Sequence, residues 1–227
     1  MGENMKRFFV TMMGLVALLV LLVAWNIGSG SVSVTAAQMC EVLFRKTTEG
    51  TFYHIVWDIR MPRMLAALFL GGALAVSGFL LQTFFQNPIA GPYVLGISSG
   101  AKMVVAVVMI VCMGKGIQMS SFAMVLAAFF GSLLAMGFVL LLSMRVHKMS
   151  LLVVCGIMIG YICSAITDFL VTFAEDSDIV NLHNWSMGSF SGITWENVKT
   201  IVFVVAVTGI LTFFLSKPME AYQLGET

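Results

Sequence analysis

Long apolar runs alternate with short polar stretches along most of this chain. A helix needs about 20 predominantly apolar residues to cross the hydrocarbon core of a bilayer, and six segments reach or approach that length. They predict transmembrane helices over residues 8–27, 64–84, 93–113, 120–143, 150–173 and 200–216. The pattern therefore predicts an all-α polytopic membrane protein with a single transmembrane domain over residues 1–227.

The polar connections add two local predictions. Apolar residues recur at helical spacing within residues 31–45, which predicts a short helix at the membrane interface. Residues 174–199 are polar and acidic and contain Trp185 and Trp195. Because tryptophan favours the membrane–water interface, we expect this stretch to be an external loop.

Positive residues give the expected orientation. Lys6 and Arg7 precede the first span, and Arg145 and Lys148 flank the short loop between the fourth and fifth spans. Cytoplasmic loops carry an excess of such residues, although the total on the two sides is nearly balanced here. We therefore expect the N-terminus, the loops 85–92 and 144–149, and the tail from Lys217 to face the cytoplasm.

Composition excludes several other classes of protein. The chain is 59% hydrophobic and 10% charged, whereas a soluble domain carries about 25% charged residues. A net charge of +1 gives no basic field for nucleic acid. No phosphate-binding GxxxxGK[ST] loop, metal-ligand spacing or Ser-His-Asp grouping occurs. We therefore expect no enzymatic activity, no cofactor and no metal site, and expect the four cysteines to be small core residues.

The most informative stretch runs from Arg60 to Ala101. Arg60 and Arg63 stand at the start of the second span, and that span ends in the polar turn 82–92. A glycine- and serine-rich helix start, 96–100, follows at once. Charged groups and proline-broken turns are costly in lipid unless protein or a water-filled path covers them. The stretch therefore indicates transport machinery.

Small residues recur every fourth position in three of the predicted helices. The stripes are Ala67/Gly71/Ala75, Ala127/Gly131/Ala135 and Gly156/Gly160/Ser164. Such stripes let helix backbones approach closely, so the second, fourth and fifth helices are expected to pack tightly. Alternatively, Gly156, Gly160 and Ser164 line a path, because small side chains leave room for a bulky solute.

Several of these motifs together resemble the FecCD-type permeases, the membrane subunits of ABC importers for iron–siderophore, haem and cobalamin. The resemblance covers nearly the whole chain. It is carried by Arg60-x-Pro62-Arg63, Gly72-Ala-Leu-Ala75-x-x-Gly78, Gln82, Asn87-Pro88-x-Ala90-x-Pro92, Leu95-Gly-Ile-Ser-Ser-Gly-Ala101, Trp185-Ser-Met-Gly188-Ser189 with Trp195, and Leu224-Gly225-Glu226.

The resemblance implies a bacterial cell-membrane permease that itself performs no chemistry. It implies a dimer of two permeases, two partner subunits that hydrolyse ATP, and an external substrate-binding protein. Arg60 and Arg63 would dock that protein, since guanidinium forks suit carboxylates; interfacial anchoring is the alternative. Leu224, Gly225 and Glu226 would belong to the segment that couples to the ATPase.

The resemblance also implies residues of the path or its gate, with the fifth helix lining it. The turn residues would shape the inner gate or merely cap two helices. The helix start would meet an anionic solute with its free N–H groups, or is simply capped. These residues are Gln82, Asn87, Pro88, Pro92, Gly96, Ser98, Ser99, Gly100, Gly156, Gly160 and Ser164.

Two departures from the family leave alternatives open. Family members have about ten helices, so we expect a chain of six to be an N-terminal fragment. Lys102 places a cation within the third span, and Asp168 is the acid within a span that could pair with it. The alternatives to an importer are thus a non-transporting membrane fragment or scaffold, or a secondary transporter that uses Lys102 and Asp168.

Overall fold

The computed structural model describes residues 2–30, 32, 34–35, 39, 41–42, 50–113, 120–146 and 148–224. All regular structure in these ranges is helical, which confirms the predicted all-α class. Seven helices follow one another, with a π-helical turn at His54–Arg60 inside the second. They are α1 (Gly2–Gly28), α2 (Thr51–Phe84), α3 (Ile97–Met113), α4 (Ser121–Ser143), α5 (Met149–Val171), α6 (Asp176–Met187) and α7 (Trp195–Leu224).

Five of these helices, α1, α2, α4, α5 and α7, are long and apolar enough to cross a membrane. The predicted third span, 93–113, is shorter in the structure, because α3 has 17 residues and begins at Ile97. The preceding residues form turns, and Gly96 has a left-handed φ of 74° that breaks regular helical geometry before α3. Apolar composition alone carried no sign of this break.

Two helices extend beyond the predicted membrane spans, and one helix was not predicted. The helix that contains the predicted span 64–84 starts at Thr51, and the helix that contains the predicted span 200–216 runs from Trp195 to Leu224 with Pro218 inside it. Residues 174–199 contain the helix α6 rather than only a loop. Asp176 and Asp178 lie in the first turn of α6, where carboxylates favour the positive end of the helix dipole. Because this stretch is polar, its composition did not predict the helix.

Part of the predicted organisation lies outside the described residues. Of the expected interfacial helix over 31–45, only a few residues are described, and Met39, Glu41 and Val42 have helical backbone. Contacts divide the chain into two compact units. The first comprises Met1–Gly72 and Phe190–Gly209, and the second comprises Ala73–Ser189 and Ile210–Thr227.

The first unit is organised around the π-helical turn. The N–H of Met61 donates to the carbonyl of Val56 in the wider π register, and Pro62, which has no N–H, follows directly. The indole Nε1 of Trp195 donates to the carbonyl of Trp57 at 2.9 Å, and the two rings lie 5.2 Å apart. A buried cluster centred on Val56 packs alongside; its other members are Ile27, Val34, Val42 and Met64.

In the second unit, α3 packs against both α4 and α5. One buried cluster joins the turn after α2 to the end of α4 and the start of α5 through Phe85, Val139 and Leu152. A second cluster lies at the other end of α3, where Leu182 of α6 packs against Met109. The loops after α2 and α4 therefore lie at the same end of this unit, away from α6.

Candidate functional site

The start of α3 is held between α4 and α5 by contacts in which glycine is required. A Cβ added at Gly96 would lie 2.7 Å from the backbone nitrogen of Gly160, and one at Gly100 would lie 2.7 Å from the carbonyl oxygen of Gly131. Real Cβ atoms do not approach that closely without displacing the neighbour. A Cβ at Gly156 would meet Leu95 at 3.0 Å. Two of the predicted stripes thus pack tightly, as expected, with the start of α3 as their shared partner.

The third stripe behaves differently. A Cβ added at Gly71 or Gly72 of α2 would meet no atom within 4 Å. The expectation that the second helix joins the tight bundle through Ala67, Gly71 and Ala75 is therefore not met among the described residues. Small residues permit close approach but do not supply a partner. The partner of the other two stripes is the glycine pair Gly96 and Gly100. These two glycines are also four positions apart, a spacing that is visible in the sequence.

A cavity of about 350 Å³ opens beside this contact. Ser99, Gly160 and Ser164, all predicted path residues, line it together with Tyr93, Val94, Ile157 and Tyr161. The hydroxyl of Ser164 donates to that of Ser99 across 3.4 Å. Tyr93 and Tyr161 are mostly exposed, so their hydroxyls are free to meet a solute. Sequence reasoning missed both tyrosines, although each directly follows a predicted path residue, Pro92 or Gly160.

The turn after α2 is compact and is stabilised by hydrogen bonds between its own residues. The side-chain oxygen of Asn87 accepts from the N–H of Ile89 at 3.0 Å, and the N–H of Asn87 donates to the carbonyl of Gln82 at 3.1 Å. Pro88 is exposed and Pro92 half-buried. The buried side chains of Phe85, Ala90 and Leu95 anchor the turn in a hydrophobic cluster. Ser98 is half-buried and does not line the cavity.

Arg60 lies inside the first unit rather than on its surface. Its side chain is only 9% exposed. One terminal nitrogen donates to the carbonyl of Ile27 at 2.6 Å, and the other donates to the carbonyl of Val32. The guanidinium therefore ties the end of α1 and the chain beyond it to the π-helical turn. Gly30 leaves the necessary space, since a Cβ there would lie 2.7 Å from the Arg60 guanidinium.

Arg63 makes fewer hydrogen bonds than Arg60 does. One terminal nitrogen donates to the carbonyl of Ser191 at 2.6 Å. Its Nε is buried and is the one buried side-chain nitrogen or oxygen in the described part of the chain that has no hydrogen-bond partner. The two arginines, which the sequence presents as equivalent, therefore occupy different environments. Docking of an external protein at either remains a prediction.

The polar positions within spans do not form a pair. Lys102 is half-buried and Asp168 is exposed, and over the described ranges the contact found between a basic and an acidic side chain is the hydrogen bond of His54 Nδ1 with Asp58, at 2.7 Å. The same ranges hold no group of three or more metal-ligating side chains. Of the predicted coupling residues, Leu224 is the last residue of α7, and Gly225 and Glu226 lie outside the described residues.

The helices of this chain superpose on those of a solved transporter structure. A metal-chelate type ABC transporter, solved in an inward-facing conformation, superposes with a TM-score of 0.74 at 23% sequence identity. The match covers 92% of this chain and 63% of that chain. This chain therefore shares the fold of that structure.

Sequence similarity establishes the family. Residues 18–227 match the FecCD transport family, and the chain belongs to that family; it is a multi-pass membrane protein. The vitamin B12 import system permease protein BtuC of Klebsiella pneumoniae subsp. pneumoniae is 39% identical over 172 residues, which is 75% of this chain and 50% of that protein. BtuC of Salmonella paratyphi A is 37% identical over 76% of this chain and 52% of its own length. The chain spans about half the length of these relatives.

Proposed function

We propose that the chain is a membrane-spanning permease subunit of an ABC importer and forms part of its translocation path. The carrying observation is the cavity beside α3 and α5, where Ser99, Tyr161 and Ser164 bring hydroxyl groups into otherwise apolar helices. Polar groups away from water are costly unless a polar solute or water meets them. A lining with hydroxyls and no charged side chain suits a bulky solute with many hydrogen-bonding groups.

The cargo is an iron chelate, meaning a siderophore complex or haem, or it is cobalamin. Cobalamin is the first candidate, because relatives 37–39% identical to this chain are named vitamin B12 permeases. Cobalamin carries many amide groups, and these can form hydrogen bonds with the hydroxyls that line the cavity.

The importer needs partners that this chain does not provide. A second permease copy, identical or related, completes the path. Two ATP-binding subunits hydrolyse ATP and act on the segment after α7, which includes Leu224, Gly225 and Glu226. The permease alternates the exposure of the path and performs no chemistry itself. The permease lies in the bacterial cell membrane. Its inner gate is the turn that contains Gln82, Asn87, Pro88 and Pro92.

An external substrate-binding protein docks through carboxylates on the end of the permease that carries the two arginines. Arg63 is the principal contact, because one of its terminal nitrogens donates to a carbonyl, whereas both terminal nitrogens of Arg60 do so. Arg63→Glu should therefore weaken association more than Arg60→Glu does in binding-competent protein. Added salt should reduce the difference, since exposed charge pairs are screened.

The test of the path uses two bulky substitutions on adjacent positions of α5. Ser164→Trp projects a large ring into the cavity, whereas Ala165→Trp changes an exposed position that does not line it. The substitutions are placed in a permease that contains this sequence and has the full length of its relatives, which is the parent in the assay. In a permease-deleted strain supplied with the partner subunits, uptake of labelled cobalamin and of a ferric chelate is measured. We expect Ser164→Trp to abolish uptake of the transported cargo and Ala165→Trp to leave it near the parent level.

Equal uptake by both variants would show that the cavity is not part of the path. Uptake of neither cargo by the parent would count against the importer function. Membrane insertion of each variant is checked by quantifying the protein in the membrane fraction, so that a loss of uptake cannot be attributed to a loss of protein.

The orientation is tested separately with single cysteines in a background without native cysteines. With the N-terminus in the cytoplasm, Arg145→Cys should resist an impermeant thiol reagent added to intact cells. Gly192→Cys, at an open position, should be labelled. The reverse pattern would contradict the proposed topology.

A further inference from the structure

The first unit contains a second cavity of about 670 Å³ between α1 and α2. Its two ends differ in chemistry. One end is apolar and is lined by Leu19 and Leu22 of α1 and by Ala67 and Leu68 of α2. The other end is polar and is lined by Asn26, Gly30, Arg60 and Arg63.

The dimensions of this cavity fit an amphiphile. Leu19 and Asn26, which both line the cavity, are seven residues apart on α1, which corresponds to roughly 10 Å of helix. Leu19, Leu22 and Leu68 are all partly exposed, so the apolar end opens toward the hydrocarbon region. A solute that enters from the bilayer can therefore place an acyl chain there and keep its headgroup at the arginines.

The charge at the polar end requires an anion. Arg60 satisfies its hydrogen bonds on two backbone carbonyls, but carbonyls carry no net charge, so its positive charge is not neutralised. No acidic side chain is among the described residues that line the cavity. Arg63 adds a second charge, and its hydrogen bond in the described part of the chain comes from one terminal nitrogen, to the carbonyl of Ser191. An anionic oxygen in the cavity can accept from the other terminal nitrogen, and such a charge-assisted hydrogen bond is stronger than a neutral one.

We propose that this cavity binds an anionic phospholipid of the surrounding bilayer. A phosphate oxygen accepts from the terminal nitrogen of Arg63 that Ser191 does not occupy, with Arg60 behind it, and one acyl chain lies along the leucine-lined end. Guanidinium groups are well suited to phosphate. A free phosphate or the carboxylate of a docking protein would leave the apolar end unfilled, so the lipid is the occupant that matches both ends. This site is independent of the proposed path.

The test is native mass spectrometry of the purified chain in detergent, without any binding protein. Phosphatidylglycerol and phosphatidylcholine with identical acyl chains are titrated, and inorganic phosphate forms a third arm. We expect phosphatidylglycerol to bind about tenfold more tightly than phosphatidylcholine, because both lipids carry the phosphate but the choline cation of phosphatidylcholine is repelled by the two arginines. We expect phosphate alone to show no retained adduct.

Matched variants separate the headgroup from the acyl chain. Arg63→Gln should remove the preference, whereas Arg145→Gln, the same change at an exposed loop position, should keep it. Arg63→Lys, which keeps the charge but lacks Nε, should retain part of the preference. Ala67→Trp should weaken both lipids by filling the apolar end. Leu74→Trp, on the same helix outside the cavity, should not.

Three results would overturn the proposal. The first is equal affinity of the parent chain for the two lipids, a comparison that needs no variant. The second is a preference that survives Arg63→Gln or disappears equally in Arg145→Gln. The third is phosphate binding that competes with phosphatidylglycerol at similar affinity, which would indicate a site for a free anion.

Discussion

The two cavities of this permease are built in opposite ways. The smaller one lies beside a contact of α3 and α5 in which glycines let the backbones touch, and its wall consists of uncharged side chains, four of which carry hydroxyls. The larger one, between α1 and α2, is held by long side chains, and two arginines supply its polar end. The first is neutral and defined by packing, whereas the second is cationic and defined by hydrogen bonds.

This difference shows where each region is vulnerable. Close backbone packing tolerates no added atom, because nothing flexible is available to move aside. Guanidinium anchors tolerate small changes of volume but not the loss of a donor, because buried carbonyls would then lack partners. Steric substitutions should therefore damage the second unit most, and donor substitutions the first.

The largest effect is expected from Gly96→Ala. Residue 96 has a left-handed φ, and the new Cβ would lie 2.7 Å from the backbone of Gly160, so we expect a loss of about 3 kcal/mol from backbone strain and overpacking. Thermal unfolding in detergent measures it. Gly72→Ala, where a Cβ meets no atom within 4 Å, is the matched control and should be neutral or slightly stabilising. Similar midpoints for the two variants would contradict the packing described for α3.

Removing the arginine donors should have the next largest effect. Arg60→Gln breaks two charge-assisted hydrogen bonds and should cost about 2–3 kcal/mol of stability. Arg63→Gln breaks one and should cost about 1 kcal/mol. The same unfolding measurement ranks them. If Arg63→Gln proved the more destabilising, the distinction between a structural Arg60 and an available Arg63 would be wrong.

Trp195→Phe tests the anchor of the π-helical turn. The change keeps an aromatic ring near Trp57 but removes the indole donor to its carbonyl, and should cost about 1 kcal/mol. Trp25→Phe, at a largely exposed position, serves as control and should change the unfolding midpoint little. Equal midpoints would show that the ring contact, not the hydrogen bond, holds the turn.

The smallest effect is expected from Ser99→Ala in the neutral cavity. The hydroxyl contact with Ser164 is long, at 3.4 Å, so its loss should change stability by less than about 0.5 kcal/mol. In the uptake assay we expect a change of no more than about twofold. A severe loss of uptake with normal stability would indicate that this hydroxyl contacts the cargo directly.

Much of the architecture was predictable because lipid imposes it. A segment that crosses the bilayer must be apolar for about 20 residues and must satisfy its backbone internally, so the positions of α1, α4 and α5 follow from hydropathy. The boundaries of α2 and α7 did not, because the helices continue into polar sequence. The polar helix α6 was missed since its apolar side, Leu182 and Trp185, is too short to stand out.

The candidate site was only partly readable. The sequence singled out Gly96, Ser99, Gly160 and Ser164 as separate motifs, but only the fold shows that they meet. It presented Arg60 and Arg63 as a pair, three residues apart. Because the π-helical turn ends between them, one guanidinium reaches carbonyls of the preceding segment and the other faces Ser191.

The sequence by itself determined that the protein lies in a lipid bilayer, the number of long apolar helices to within one, and the family motifs. These are properties of composition and local spacing, which act within a single helix. Tertiary structure alone decided which stripe of small residues found a partner, which arginine was left with a free donor, and which hydroxyls came to face one cavity. Those outcomes depend on contacts between residues up to 128 positions apart, and local spacing does not specify which distant segments will meet.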